Sequence, residues 1–121
     1  MLTLLRGVFA YNHFSKGYYD TWQENTISSL RRTSELTLGV IGAGRIGTAL
    51  MRKSKELNMK IIFFDPYLDA GYEKAISVKR ANSLNELLEQ SDVVSIHTPL
   101  NNETKGMVSS SFISKMKKGS I

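Results

Sequence analysis

Residues 36–47 read Leu36-Thr37-Leu38-Gly39-Val40-Ile41-Gly42-Ala43-Gly44-Arg45-Ile46-Gly47. The first six make an almost unbroken apolar run, as expected of a strand covered on both faces. The last six carry glycine at the first, third and sixth places, directly after that strand. Downstream, Ile46, Ala49, Leu50 and Leu57 recur at helical offsets. A helix is therefore expected from about Arg45 to Leu57, with Asn58 suited to a left-handed cap. Strand, glycine turn and helix in this order make a site for the pyrophosphate of a dinucleotide. Gly42 permits the tight turn out of the strand, Gly44 lets the backbone approach the pyrophosphate, and Gly47 lets helix and strand pack closely. The free N–H groups and positive dipole end of the helix supply the anion site. Arg45 either adds its charge to that site or is a solvated first-turn residue, and its backbone N–H is well placed in both cases. Ile46 is expected to give its side chain to the core and its backbone N–H to a phosphate.

Beyond the helix, Lys60-Ile61-Ile62-Phe63-Phe64-Asp65 reads as a second buried strand, stopped by Pro66. Asp65 follows Gly47 by 18 residues and ends that strand. There a carboxylate accepts hydrogen bonds from the adenosine ribose hydroxyls. An Asp before Pro66 is also a common turn pair, but glycine loop, strand order and spacing agree on a nucleotide. A flavin site is the competitor within this motif. Asp65 selects NAD over NADP, because a 2′-phosphate would meet a like charge. Pro66, Tyr67 and Leu68 offer no Arg or Lys to accommodate it, and Lys74 and Lys79 would matter only if the loop folded back.

Residues 66–75 read as a loop and Ile76 to Lys79 as a short third strand. Ser83-Leu84-Asn85-Glu86 fits a capping box serving a helix through Gln90. Residues 92–97 make a fourth strand closed by Pro99, a helix follows from about Ser109 to Met116, and Gly119-Ser120-Ile121 looks like the opening of a fifth strand. Strands alternating with helices imply an α/β fold, a doubly wound parallel sheet with right-handed crossovers. It is expected to be incomplete, with about four strands and the start of a fifth. His97-Thr98-Pro99 sits at the carboxyl end of the fourth strand, the side on which open α/β sheets bind ligands. A lone His there is more often a hydrogen-bonded structural residue than a catalyst. Thr98 and Thr104 either touch the cofactor or cap the turn. The candidate cofactor-binding residues are thus Gly42, Gly44, Arg45, Ile46, Gly47, Asp65, Pro66, His97, Thr98, Pro99 and Thr104. No carboxylate pair, metal-ligand cluster or Ser-His-Asp arrangement can be argued from the rest, so no catalytic or metal residue is assigned.

Residues 1–35 differ in character. Leu2, Leu5 and Phe9 fall at helical spacing, so an amphipathic helix is expected over residues 2–14, ending near Gly17. An irregular arm with Tyr18, Tyr19 and Trp22 follows, and its aromatics need a surface to pack against. This segment is expected to make the chain dimeric or prone to aggregation. The 121 residues are 41% apolar and 22% charged, which excludes collagen-like, mucin-like and wholly disordered chains. Without cysteine there is no disulfide scaffold or thiol nucleophile. The net charge of +5 comes from scattered cations, so nucleic acid is not an expected partner. No apolar run approaches the roughly 18–20 residues of a membrane span, and Met1 to Gly7 does not read as a signal peptide. A cytoplasmic protein is the default.

LTLGVIGAGRIG, FFDPYL, LNELLEQSDVVSIHTPLNNETKGMV and FISKMKKGSI together resemble the coenzyme domain of the D-isomer-specific 2-hydroxyacid dehydrogenases. That family includes phosphoglycerate dehydrogenase, D-lactate dehydrogenase, formate dehydrogenase and the C-terminal binding proteins. FFDPYL and LEQSDVVSIHTPL are far more specific than the glycine loop. The resemblance implies a Rossmann-type core over residues 36–121, led by the helix and arm of residues 1–35. It implies NAD contacts at Arg45, Ile46, Asp65 and Thr98, with His97, Pro99 and Thr104 nearby. It also implies hydride transfer between NAD and a D-2-hydroxy acid or 2-oxo acid, and a homodimer formed through the coenzyme domain. The family's substrate-binding Arg, acid–base His and orienting Glu follow the fifth strand, beyond Ile121. The chain is therefore expected to be a partial dinucleotide-binding domain without the substrate domain, inactive by itself. A dinucleotide-sensing, corepressor-like module is the alternative. An adenosylhomocysteinase-like NAD fold is a weaker one, against which FFDPYL and SIHTPL count.

Overall fold

A computed structural model describes residues 31–121. The helix expected over residues 2–14 and the arm bearing Tyr18, Tyr19 and Trp22 lie outside the described residues. Thr33–Glu35 is a short 3-10 turn, and residues 36–121 form a compact unit. Its elements are β1 (Thr37–Ile41), α1 (Arg45–Glu56), β2 (Lys60–Phe64), α2 (Tyr72–Ile76), β3 (Lys79–Arg80), α3 (Leu84–Gln90), β4 (Val93–Ile96) and α4 (Ser110–Ser114).

The strands lie in the order β3-β2-β1-β4, and every pairing is parallel. Thr37 to Ile41 face Lys60 to Phe64 on one side of β1, and Leu38 to Ile41 face Val93 to Ile96 on the other. Ile121 donates its N–H to the Asp92 carbonyl at 3.0 Å and accepts from the Val94 N–H at 2.8 Å. The expected fifth strand thus begins to pair beyond β4. Two apolar clusters, one for each set of helices, follow from the alternation of side chains along the strands. Leu38, Val40 and Phe63 bury with Met51 of α1, whereas Ile41 and Ile62 bury with Leu87 and Leu88 of α3 and Phe112 of α4. This is the doubly wound α/β architecture that the alternation of elements implied.

Three local expectations need correction. The buried residues of α1 are Gly47, Met51 and Ser54, so of the apolar residues read as its inner stripe only Leu50 packs against the core. Ile46 is 71% exposed rather than in the core, and Leu57 is exposed as well. The reason is Gly47: a Cβ there would land on the Gly42 carbonyl oxygen, so the helix approaches the loop at its smallest residue. The stripe is centred on that contact. Second, residues 66–75 are not wholly loop, and no strand spans Ile76 to Lys79. Tyr72 and Ile76 stand four apart and pack against the first cluster, which closes one helical turn between left-handed Gly71 and Ser77. The third strand is pushed back to Lys79–Arg80. Third, the box that starts α3 is shifted. Ser83 Oγ accepts from the Glu86 N–H at 3.2 Å as expected, but Glu86 Oε2 accepts from the Asn82 backbone N–H at 2.8 Å. The carboxylate thereby reaches one residue further back than the cap itself.

The starts of β1 and β4 are tied by one acid. Asp92 is buried, and its Oδ2 accepts from the Thr37 N–H at 2.8 Å while its Oδ1 lies 3.3 Å from Lys117 Nζ. A carboxylate is retained in the interior only when paired and hydrogen-bonded in this way.

Candidate functional site

The chain leaves β1 for β2 and β3 on one side and returns to β4 on the other. The segments that follow β1 and β4 therefore lead to helices packed in opposite clusters, and a crevice opens between them, where ligands of open α/β sheets bind. A cleft of 280 Å³ lies there. Of the residues expected from the sequence, Gly42, Gly44, Asp65, Pro66, His97, Thr98, Pro99 and Thr104 line it. Arg45, Ile46 and Gly47 do not. Arg45 borders an adjoining groove with Arg52 and Lys53, Ile46 projects outward, and Gly47 lies under the turn.

Each glycine of the turn meets a different constraint. Gly42 has φ +88°, and a Cβ on it would lie 2.8 Å from the His97 carbonyl oxygen. Both facts demand glycine. Gly44 has ordinary extended angles and nothing within 4 Å of a Cβ position. Among the described residues, its lack of a side chain relieves no clash. No side chain caps α1 either, so the first N–H groups of a 12-residue helix open beside Gly44.

Asp65 stands across from this turn. Its Oδ2 accepts from the Ala43 N–H at 2.9 Å and its Oδ1 from the Tyr67 N–H at 3.0 Å. The carboxylate is held at the lip of the cleft by the glycine loop on one side and its own loop on the other. Lys79 does not approach it: Nζ donates to Gln90 Oε1 at 2.8 Å and pairs with Glu86 at 3.5 Å. The guanidinium of Arg80 is directed at backbone carbonyls.

The β4 side of the cleft is built from turns. The His97 N–H donates to the Ile41 carbonyl at 2.7 Å, and its ring Nε2 lies 2.8 Å from Ser95 Oγ. Thr104 Oγ1 donates to the Pro99 carbonyl at 2.6 Å and accepts from the Asn101 N–H at 2.9 Å. Asn101 Oδ1 accepts from the Glu103 and Thr104 N–H groups. Thr98 presents its methyl group to Gly42. The Tyr67 hydroxyl donates to Glu103 across the mouth of the cleft, and that bond holds the phenol pKa above its ordinary value.

Sequence reading missed several of these residues. Leu84 and Met107 supply apolar lining, and Tyr67 and Glu103 the bridge. Gly39 was read only as part of the first strand. A Cβ on it would strike Ser91 Oγ and come within 2.7 Å of Leu87 Cδ2, so it is what lets α3 lie close to the sheet. A glycine inside an otherwise apolar strand was the available signal.

Fold and cleft define a dinucleotide-binding α/β domain. An open glycine turn, an uncapped helix start and a fixed carboxylate fit the pyrophosphate and ribose of NAD. The family model described as "D-isomer specific 2-hydroxyacid dehydrogenase, NAD binding domain" matches residues 1–121. The chain belongs to that family, as its NAD-binding domain. It is 40% identical over 83 residues to D-3-phosphoglycerate dehydrogenase of Bacillus subtilis (strain 168), covering 69% of this chain and 16% of the relative. It is 32% identical over 100 residues to C-terminal-binding protein 1 of Caenorhabditis elegans, covering 83% and 14%. Among solved structures, D-lactate dehydrogenase from Aquifex aeolicus, complexed with NAD and lactic acid, matches with TM-score 0.78 and 32% identity. That match covers 96% of this chain and 34% of the other. The NAD-complexed D-isomer specific 2-hydroxyacid dehydrogenase from Lactobacillus delbrueckii ssp. bulgaricus matches with TM-score 0.78 and 28% identity, covering 98% and 35%. The chain thus spans about a seventh of the curated relatives it matches and a third of the solved ones.

Proposed function

We propose that the cleft at the ends of β1, β2 and β4 holds NAD for hydride transfer between the nicotinamide and a D-2-hydroxy acid or its 2-oxo partner. The observation that carries this is the meeting of the open Gly44 turn with the Asp65 carboxylate, joined through the Ala43 N–H. In this reading the backbone at Gly44, Arg45 and Ile46 receives the pyrophosphate, and Arg45 adds its charge from the groove beside it. Asp65 accepts from the adenosine ribose. Pro66, His97, Thr98, Pro99 and Thr104 wall the adenosine half, to which a 280 Å³ cleft is suited. The nicotinamide supplies the hydride acceptor or donor when the cofactor is bound. This chain's residues bind, orient and discriminate; we assign none of them to proton transfer.

The same reading makes residues 36–121 the Rossmann core and residues 1–35 its leading helix and arm, in a longer, homodimeric, cytoplasmic protein. The family resemblance supports the dimer. No helix among the described residues is long and apolar enough to cross a membrane. The match to the C. elegans protein does not favour a dinucleotide-sensing module, since nothing in the cleft distinguishes the two. The test is turnover. A longer protein containing this chain should oxidise NADH with one of pyruvate, glyoxylate or hydroxypyruvate and release the D product, while the 121-residue chain binds cofactor without turnover. Binding with no reaction of the longer protein on any 2-oxo acid would replace the enzyme reading with the sensing one.

A further inference from the structure

β3 is two residues long, and its two side chains go to different places. Lys79 reaches α3, through Gln90 and Glu86. Arg80, in register with Phe63 of β2, turns to the loop that follows β2. There its Nη2 donates to the carbonyl of Asp65 at 2.6 Å and of Leu68 at 2.9 Å, and its Nη1 donates to the carbonyl of Asp69 at 3.2 Å. One guanidinium gathers three carbonyls of a five-residue stretch that has no regular structure and whose Pro66 has no N–H to give.

We propose that Arg80 is a positioning residue for the cofactor site. It acts through Asp65, by fixing the backbone from which that carboxylate reaches the ribose. The inference rests on the reading of the cleft as an NAD site. Asp65 has two anchors for its carboxylate: the Ala43 N–H from the glycine loop and the Tyr67 N–H from its own loop. The second exists only while residues 65–67 keep their turn, and the turn is held from behind by the bond from Arg80 to the Asp65 carbonyl. The planar fork is what the position requires. Its several donors diverge from one rigid plane, whereas a lysine ammonium concentrates its donors at one point and cannot span carbonyls of residues 65, 68 and 69 together. Three of the Arg80 donors go to carbonyls of the loop, so its guanidinium is turned to the backbone rather than to a 2′-phosphate.

The test compares the 121-residue chain with Arg80→Lys and Arg80→Gln, titrated with NAD and with the NAD analogue lacking the 2′-hydroxyl of the adenosine ribose. Outer partners of binding groups are worth about 10–100-fold where they have been measured, at metal sites. Both variants should weaken NAD about tenfold while weakening the 2′-deoxy analogue much less, because one of the ribose hydroxyls that Asp65 reads is already gone. In an Asp65→Ala background the same Arg80 changes should have no effect on NAD. Arg80→Lys keeps the charge and the aliphatic stem, so it carries the test if Arg80→Gln does not fold. Equal loss for both ligands would make Arg80 a residue of general loop stability, and unchanged NAD affinity would remove it from the site; either overturns the inference. Failure of the parent chain to bind NAD at all would overturn the cofactor reading itself, and this inference with it.

Discussion

Asp65 Oδ2 and the Ala43 N–H are joined at 2.9 Å although 22 residues separate them. The bond couples the glycine turn after β1 to the acid after β2, so the parts that meet the pyrophosphate and the ribose are set at a fixed distance. Replacing Asp65 by Ala should weaken NAD by about ten- to hundredfold, since a charge-assisted bond is worth about 1.5–3 kcal/mol. NADP should lose much less, because it gives up repulsion as well as a partner. Calorimetric titration of both cofactors checks this, and unchanged NAD affinity would reduce Asp65 to a strand terminator.

Gly44 and Gly47 lie three residues apart and should fail differently. A Cβ at Gly47 collides with the Gly42 carbonyl, which is backbone and cannot move aside. Gly47→Ala should cost about 1–3 kcal/mol of stability, as overpacking does. Gly44→Ala meets nothing within 4 Å among the described residues and keeps allowed backbone angles. It should melt within a degree or two of the parent yet bind NAD at least tenfold more weakly, because the methyl group occupies the approach to the pyrophosphate. Thermal melts and NADH fluorescence titrations read the two effects separately.

The division between what could and could not be read from the sequence follows the range of the interaction involved. β1, α1, β2 and the cap of α3 are governed by neighbours a few residues away, and periodicity, Asn58 in its left-handed conformation and Ser83 mark them. The position of Asp65, at the end of β2 and beside the glycine turn, is readable because the spacing to Gly47 is fixed by one helix and one strand. α2 was not, since a single turn containing Tyr72 and Ile76 is decided by the Phe63 ring, which Tyr72 meets edge-on at 6.0 Å. Ile46 misled because apolar periodicity gives no weight to a glycine that sets the closest approach. Arg80 reads as one more scattered cation until the loop carbonyls are seen around it.

Asp92, the one buried acid among the described residues, should be costly to lose. Asp92→Ala leaves the Thr37 N–H without its acceptor and Lys117 without its partner. A destabilisation of about 1–3 kcal/mol follows from removing the acceptor of a partly buried donor, with the half-exposed Lys117 adding little. Urea denaturation measures it, and a loss below about 0.5 kcal/mol would show that the β1–β4 junction is held by the ladder alone.

The Tyr67 phenol donates to Glu103, and this bond raises its pKa above 10.0. The sign fixes the window: the contact is intact below pH 10 and is lost as the pH rises through the higher folded value. In a spectrophotometric titration at 295 nm, Tyr67→Phe should remove the late component of the tyrosine absorbance change. Removal of an early component would mean that the bridge across the cleft does not form in solution.

The central claim is that this cleft is an NAD site read by Asp65, and titration of the 121-residue chain with NAD and NADP side by side tests it most directly. NAD should bind saturably at one site per chain and NADP at least tenfold more weakly, because its 2′-phosphate meets a carboxylate and neither Lys79 nor Arg80 is directed to receive it. Binding of NADP as tight as NAD, or no binding of either, would contradict the account.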